Sequence, residues 1–80
     1  MANANEQPVN FVTATTAVTI TNATAISVYA NGTTVALSNG TASITIPDGV
    51  SWGVEASAGN VLRDVTITPA GASALITWMQ

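Results

Sequence analysis

Residues 25–46, AISVYANGTTVALSNGTASITI, decide the fold class of this chain. Three runs of alternating apolar and polar residues are separated by two Asn-Gly pairs, Asn31-Gly32 and Asn39-Gly40. Asn-Gly between such runs is the strongest short-range signal for a two-residue type I′ hairpin, because both central residues of that turn need a positive φ. The pattern therefore predicts a three-stranded antiparallel meander.

The two turns also predict a pairing register. If each turn is two residues long, Val28 lies opposite Val35, and Val35 lies opposite Ile44. The apolar residues of all three strands then share one side of the sheet, because side chains alternate between the two sides. The other side carries small or polar residues and a tyrosine: Ser27, Tyr29, Thr34, Ala36, Ser43 and Thr45.

Further turn signals extend this sheet toward the C-terminus. Pro47-Asp48-Gly49 is typical of a type I turn in a three-residue hairpin, and a crossing to a second sheet is the alternative at the same place. Gly59-Asn60 predicts another two-residue turn, which sets Glu55 opposite Asp64. The residues expected on the inward, core side of the sheet are aliphatic, with one tryptophan: Ile26, Val28, Val35, Leu37, Ile44, Ile46, Val50, Trp52, Val54, Val65 and Ile67.

The chain before the meander divides into an arm and a β-rich run. Residues 1–8, MANANEQP, are polar and predict an N-terminal arm that precedes a β domain over residues 9–80. The run that follows is rich in β-branched residues, which favours strands. Its adjacent Phe11 and Val12 point to opposite sides of a strand, so we expect either a bulge near residues 14–17 or two short strands.

The C-terminal run ALITWM, residues 74–79, predicts the last strand. Alternation places Leu75 with Met79 on one side and Ile76 with Trp78 on the other. Both sides are therefore substantially apolar, and we expect the strand to lie between sheets or to be covered by another subunit.

These signals together predict a single all-β domain. We expect six or seven short antiparallel strands, mostly in meander order, that form a β-sandwich or a partly open barrel. An 80-residue chain has room for one core at most, and a domain of this size buries only about 60–65% of its unfolded surface.

Charge is the most unusual feature of the composition. Charged residues make up 6% of the chain, against about 25% in ordinary soluble domains. The net charge is −3, and Arg63 is the only basic residue. Nucleic acids and anionic membranes are bound by clusters of Lys and Arg, so neither is an expected partner. The first residues also lack the basic and apolar regions of a signal peptide, which favours a protein made and assembled in the cytoplasm of a cell.

The residue inventory disfavours an enzyme. The chain has no histidine and no cysteine, and these residues supply the commonest general base, the commonest metal ligand and the thiol nucleophile. Among the acidic residues only Glu55 and Asp64 are expected to be neighbours, too few for the 6 to 8 oxygen ligands that calcium takes. We therefore expect no catalytic residues, no cofactor and no metal.

A surface with so little charge is better suited to being covered in an assembly than to constant exposure. The candidate interface residues are large apolar or aromatic residues of the first β-rich run, the first strand of the meander and the last strand: Phe11, Tyr29, Ile76 and Trp78. The expected partners are other copies of the same chain, as in a trimer, and a larger protein lattice.

The alternative is a non-catalytic binding or adhesion module for a carbohydrate or an ice surface. Tyr29 and Trp78 would serve as a platform for sugar stacking. Threonines spaced two apart occur at several places, and such arrays on a sheet can order water. Threonine is also the ordinary residue for a solvent-facing strand position, which is the simpler interpretation.

In size, in Ala- and Thr-rich composition and in its uninterrupted β pattern, the whole chain resembles the small decoration, or cement, proteins of tailed-phage capsids. The resemblance rests on no motif and carries over no functional residue. It implies a homo-oligomer, such as a trimer, that sits on a lattice of major capsid protein in the virion and stabilises it by bridging subunits.

Overall fold

The computed structural model describes residues 7–80, which form β-strands and, within that range, no helix. It therefore contains no helix that could cross a membrane in the part of the chain that is described. In chain order the strands are β1 (Val9–Ala14), β2 (Val18–Ile20), β3 (Ala25–Asn31), β4 (Val35–Ser38), β5 (Ser43–Ile46), β6 (Ser51–Glu55), β7 (Val65–Pro69) and β8 (Ser73–Met79).

The strands form two four-stranded antiparallel sheets. Sheet A has the order β1-β8-β3-β6, and sheet B has the order β2-β7-β4-β5. The all-β prediction is confirmed, and the arrangement is sandwich-like and not a closed barrel. Residues 7–80 contain eight strands rather than the six or seven expected, because the first β-rich run is divided.

The core is aliphatic and is contributed by both sheets. Val28 and Ile76 of sheet A and Val35 and Ile67 of sheet B are its largest fully buried side chains. Close packing of such side chains is the main stabilising term that a small domain has. The buried residues are Ala14, Ile20, Ala23, Ile26, Val28, Ala30, Val35, Leu37, Ile46, Ile67, Ala74 and Ile76.

Most of the residues expected on the inward side of the sheet are in this core or, for Trp52 and Val65, half-buried against it. Three of them are exposed instead: Ile44 at 53%, Val50 at 42% and Val54 at 37%. Ile44 and Val54 lie on β5 and β6, the outer strands of their sheets, where no further strand covers them. Sequence alternation shows which side a residue takes but not whether a neighbour covers it.

The meander order was wrong. Only β4 and β5 are consecutive strands that pair with each other, and every other connection passes between the sheets. A type I′ turn needs a positive φ at both central residues, yet within residues 7–80 the one non-glycine residue with a positive φ is Asn22, at 55°. Asn31 ends β3, and Gly32, with a φ of 82°, turns the chain toward sheet B.

The Asn39-Gly40 hairpin forms, but its register is two residues away from the prediction. Val35 pairs with Ile46 rather than with Ile44. The Oδ1 atom of Asn39 accepts hydrogen bonds from the backbone N–H groups of Thr41, at 2.9 Å, and Ala42, at 2.8 Å. This side-chain bonding supports a longer loop over residues 39–42. A shift of two residues leaves every side chain on its expected side of the sheet.

The structure decides between the alternatives at two places. The first β-rich run forms two short strands, β1 in sheet A and β2 in sheet B. At Pro47-Asp48-Gly49 the chain crosses between sheets, which was the alternative to a hairpin. Asp48 fixes this crossing, because its Oδ1 atom accepts a 2.9 Å hydrogen bond from the backbone N–H of Gly32.

The Gly59-Asn60 hairpin was wrong. A turn forms there, with a 3.0 Å hydrogen bond from the Asn60 N–H to the Ser57 carbonyl, but β6 and β7 lie in different sheets. Glu55 pairs with Ala25 rather than with Asp64. Of the predicted arm, residues 1–6 lie outside the described residues.

Candidate interaction face

The outward side of sheet A carries rows of side chains that the strand pairing sets. β8 is an inner strand of this sheet, with β1 and β3 on its two sides. The side chains that point away from the core are named here the apolar face. In the order β1, β8, β3, β6, the first row is Val9, Met79, Ala25, Glu55; the second is Phe11, Thr77, Ser27, Gly53; the third is Thr13, Leu75, Tyr29, Ser51.

Large apolar side chains on this face are open to solvent. Phe11 is 75% exposed, Val9 is 46% exposed, and Tyr29 and Leu75 are each 40% exposed. Tyr29 and Leu75 are direct cross-strand partners, and Phe11 is one row away on the neighbouring strand. A contiguous exposed patch of this kind marks an interaction surface more often than a free surface.

Two hollows lie on the apolar face. One, of about 400 Å³, lies between the second and third rows along β1 and β8, and Phe11 and Leu75 are among its lining residues. The other, of about 140 Å³, lies between the first and second rows and is lined by Val9 and Met79 among others. The face therefore has relief, with a projecting phenyl ring next to a hollow.

Charge is confined to one corner of the face. Glu55 is its only ionisable residue apart from the Tyr29 phenol, and it lies in the first row on the outer strand β6. The rest of the face is apolar or carries hydroxyl groups. A partner therefore needs no basic cluster to bind this face, and removing the face from water costs little free energy because few charges are desolvated.

The structure divides the predicted interface residues between the two sides of sheet A. Phe11 and Tyr29 lie on the apolar face. Ile76 lies on the inner side at 1% exposure, and Trp78 is partly buried against the core. Leu75 and Val9 belong to the face and were not proposed from the sequence. Their signal was present, since apolar residues on both sides of a strand predict that both sides are covered.

The outward side of sheet B differs in chemistry. The hydroxyl groups of Thr19 and Thr66 are 2.9 Å apart across β2 and β7. The neighbouring outward positions continue this pattern of hydroxyl and small side chains, with no charge among them. We name this surface the hydroxyl face: Thr19, Thr66, Ser38, Ser43, Thr68, Ala36 and Thr45.

Other candidate chemistry does not converge. Glu55 and Asp64, the one expected acidic pair, lie in or next to strands of different sheets. A polar hollow of about 510 Å³ holds Asn22, Asn39, Arg63 and Asp64 among its lining residues. Over residues 7–80 there is no group of three or more His, Cys, Asp or Glu residues placed to hold a metal ion.

Comparison with known proteins gives no relative for this chain: no family model, no curated protein and no solved structure matches it.

Proposed function

We propose that this chain is a non-catalytic structural protein whose apolar face binds another protein. The observation that carries the proposal is the exposed, nearly uncharged cluster around Phe11, which is 75% exposed. Aromatic side chains in such clusters supply much of the binding energy of protein interfaces. Burying Phe11 and its neighbours removes apolar surface from water at about 25 cal/mol per Å².

The proposed setting is the surface of a virion. The support is the resemblance to capsid decoration proteins in size and composition, together with outer sheet surfaces that carry one charged residue, Glu55, between them. In this proposal the chain acts as a homo-oligomer and binds a major capsid protein. It stabilises the lattice by bridging subunits, because a ligand that binds only the assembled lattice shifts the equilibrium toward assembly.

The test is binding to empty capsids of the virus whose genome carries the gene. Purified protein is mixed with the capsids, and the bound fraction is measured by cosedimentation. We expect wild-type protein to saturate a fixed number of sites. Phe11→Asp should lower the affinity by about tenfold or more, because a charge on the apolar face weakens the homo-oligomer, and a single copy loses the gain in affinity that linked copies have on a lattice.

The matched control is Val61→Asp. Val61 is 57% exposed and lies in the connection between β6 and β7, outside the apolar face. The Val61→Asp variant should bind capsids as the wild type does. Failure of the wild type to bind, or a gene that lies outside any viral or proviral genome, would overturn the virion setting. Equal binding by Phe11→Asp and the wild type would remove the apolar face from the proposal.

A binding module for a carbohydrate or ice is the second candidate, and the hydroxyl face is the observation that favours it. Its paired Thr19 and Thr66 hydroxyls form a regular polar surface without charge. This candidate predicts hits on a glycan array, or thermal hysteresis of ice growth, that Thr68→Asp removes. Capsid binding without either activity would exclude it.

A further inference from the structure

We propose that the occupant of the apolar face is a second copy of the same chain, packed face to face about a two-fold axis that crosses the strands between the second and third rows. This inference rests on the proposed role of the apolar face as an interaction surface. It adds which face the copies share, the position of the axis and the residues that meet across it.

The first argument is shape. A two-fold axis in this position places each strand over the same strand of the second copy, with the second row of one copy over the third row of the other. Phe11 then faces the second copy's Thr13, Leu75 faces its Thr77, and Tyr29 faces its Ser27. Each of these large side chains meets a smaller one, so the face is complementary to itself, as an isologous interface requires.

The hollow beside Phe11 fits this arrangement. Its volume of about 400 Å³ lies between the second and third rows along β1 and β8, which is where the axis brings the second copy's phenyl ring. Thr13, which faces Phe11 in the dimer, is among the lining residues. The axis places the Phe11 ring of each copy at the hollow of the other copy. Both rings are therefore buried in the same interface.

The second argument is charge. Glu55 is in the first row, and the proposed axis places the first row beyond the third row of the second copy, at the opposite end of the face. The two Glu55 carboxylates are therefore kept apart, and no other charged residue belongs to the face. The contact therefore does not bring the two Glu55 carboxylates together, and repulsion between the same charged residue of two copies is a common barrier to an isologous contact.

The third argument is area. Four strands at a spacing of about 4.8 Å and about six residues at 3.3 Å each give a face of about 19 by 20 Å. Two such faces bury about 800 Å² in projection, and side-chain relief increases that area. This area is below the roughly 1,200–2,000 Å² of stable specific interfaces and is typical of weak, transient association. We therefore expect a dimer with a dissociation constant in the micromolar range.

The test is sedimentation equilibrium of the purified chain without capsids, over protein concentrations from about 1 µM to 1 mM. Wild type should pass from monomer to dimer in this range. Phe11→Asp should weaken the dimer at least about 30-fold, the factor that corresponds to loss of one hot-spot residue. Val61→Asp should dimerise as the wild type does. Far-UV circular dichroism checks that each variant keeps its strands.

A charge-swap experiment tests the position of the axis. The axis places residue 11 of one copy over residue 13 of the other, so mixing Phe11→Asp with Thr13→Lys should produce a heterodimer. We expect it to be at least about tenfold tighter than the Phe11→Asp homodimer, since opposite charges then meet in a partly desolvated contact. Thr45→Lys, which places the charge on the hydroxyl face, keeps one intact Phe11 contact but gains no charge pair, so its heterodimer with Phe11→Asp should be clearly weaker than that of Thr13→Lys.

The outcomes separate the inference from the proposed function. A wild type that stays monomeric to 1 mM, or that dimerises equally well as Phe11→Asp, overturns the dimer whether or not the chain binds capsids. Rescue by Thr45→Lys as strong as that by Thr13→Lys overturns the axis. A dimer that behaves as expected but binds no capsid supports the inference and overturns the virion setting.

Discussion

The outer sides of the two sheets are built on the same backbone geometry and differ in what they present. On sheet A, Phe11 projects into solvent, with Leu75 and Tyr29 in the next row. On sheet B, the corresponding outward positions carry threonine and serine, and the Thr19 and Thr66 hydroxyls bond to each other. Neither face has more than one charged residue.

The difference indicates that low charge has two separate roles in this chain. On the hydroxyl face, polar groups satisfy each other or water, so the surface is stable when it is exposed. On the apolar face, nothing replaces the contact with water except another protein surface. Composition alone could not separate the two surfaces, and the sheet arrangement places Phe11, Tyr29 and Leu75 on one of them.

Substitutions at Leu75 and Ile76 test this difference with the largest expected effect. These neighbours on β8 point to opposite sides, with exposures of 40% and 1%. Ile76→Ala should lower the free energy of unfolding by about 2–5 kcal/mol, because it removes buried methyl groups and leaves a cavity. Leu75→Ala should lower it by less than about 1 kcal/mol in dilute, monomeric protein. Urea unfolding followed by tryptophan fluorescence measures both.

The control is concentration. At high protein concentration the proposed dimer adds stability to the folded state, and Leu75→Ala should then lose more relative to wild type than in dilute solution. The cost of Ile76→Ala should change little. If Leu75→Ala costs as much as Ile76→Ala in dilute protein, the outer side of β8 is covered within the monomer, and the apolar face is not free.

Side-chain alternation was the reliable part of the sequence signal. It placed Val28 and Ile67 inward and Tyr29 outward, and the structure confirms all three positions. It also indicated that both sides of the last strand are apolar, which is the origin of the apolar face. Alternation is a local property, because the pleat fixes it within each strand.

Strand partners could not be predicted in the same way. The Asn-Gly pairs predicted two type I′ hairpins, but Asn39 uses its side chain to bond the backbone of its own loop. At Asn31-Gly32 the chain crosses between sheets, and the Asp48 side chain, from a turn 16 residues away, bonds the Gly32 N–H. Such long-range contacts leave no local trace, so the crossings between the sheets and the placement of Phe11 and Leu75 in one sheet were not predictable from the sequence.

Transferring an aromatic residue to the hydroxyl face should remove the difference between the two sides. Thr68 lies on the inner strand β7, is exposed, and pairs with Ala36 on the neighbouring strand β4. Thr68→Phe therefore creates a second apolar cluster. With two self-associating faces, the chain should form open-ended assemblies larger than a dimer, visible by sedimentation velocity at about 100 µM. The double variant Phe11→Asp/Thr68→Phe retains one such face and should stop at a dimer.

If Thr68→Phe stays a dimer, an exposed aromatic residue is not sufficient for association. The complementary rows of the apolar face, with large residues over small ones, would then be the deciding feature. If the double variant forms large assemblies, general aggregation rather than a defined face accounts for both results.

The smallest expected effect is the coupling between paired side chains on each face. Cross-strand pairs such as Thr19 with Thr66, or Tyr29 with Leu75, contribute about 0.2–1 kcal/mol each. Two double-mutant cycles, with valine at the threonines and alanine at the apolar pair, measure these couplings from urea unfolding. Valine keeps the shape of threonine, so the first cycle isolates the hydroxyl bond.

The Thr19–Thr66 coupling should not depend on protein concentration. The Tyr29–Leu75 coupling should change as the dimer forms, because both side chains then face a second copy. A concentration-dependent Thr19–Thr66 coupling would instead make the hydroxyl face the self-associating one.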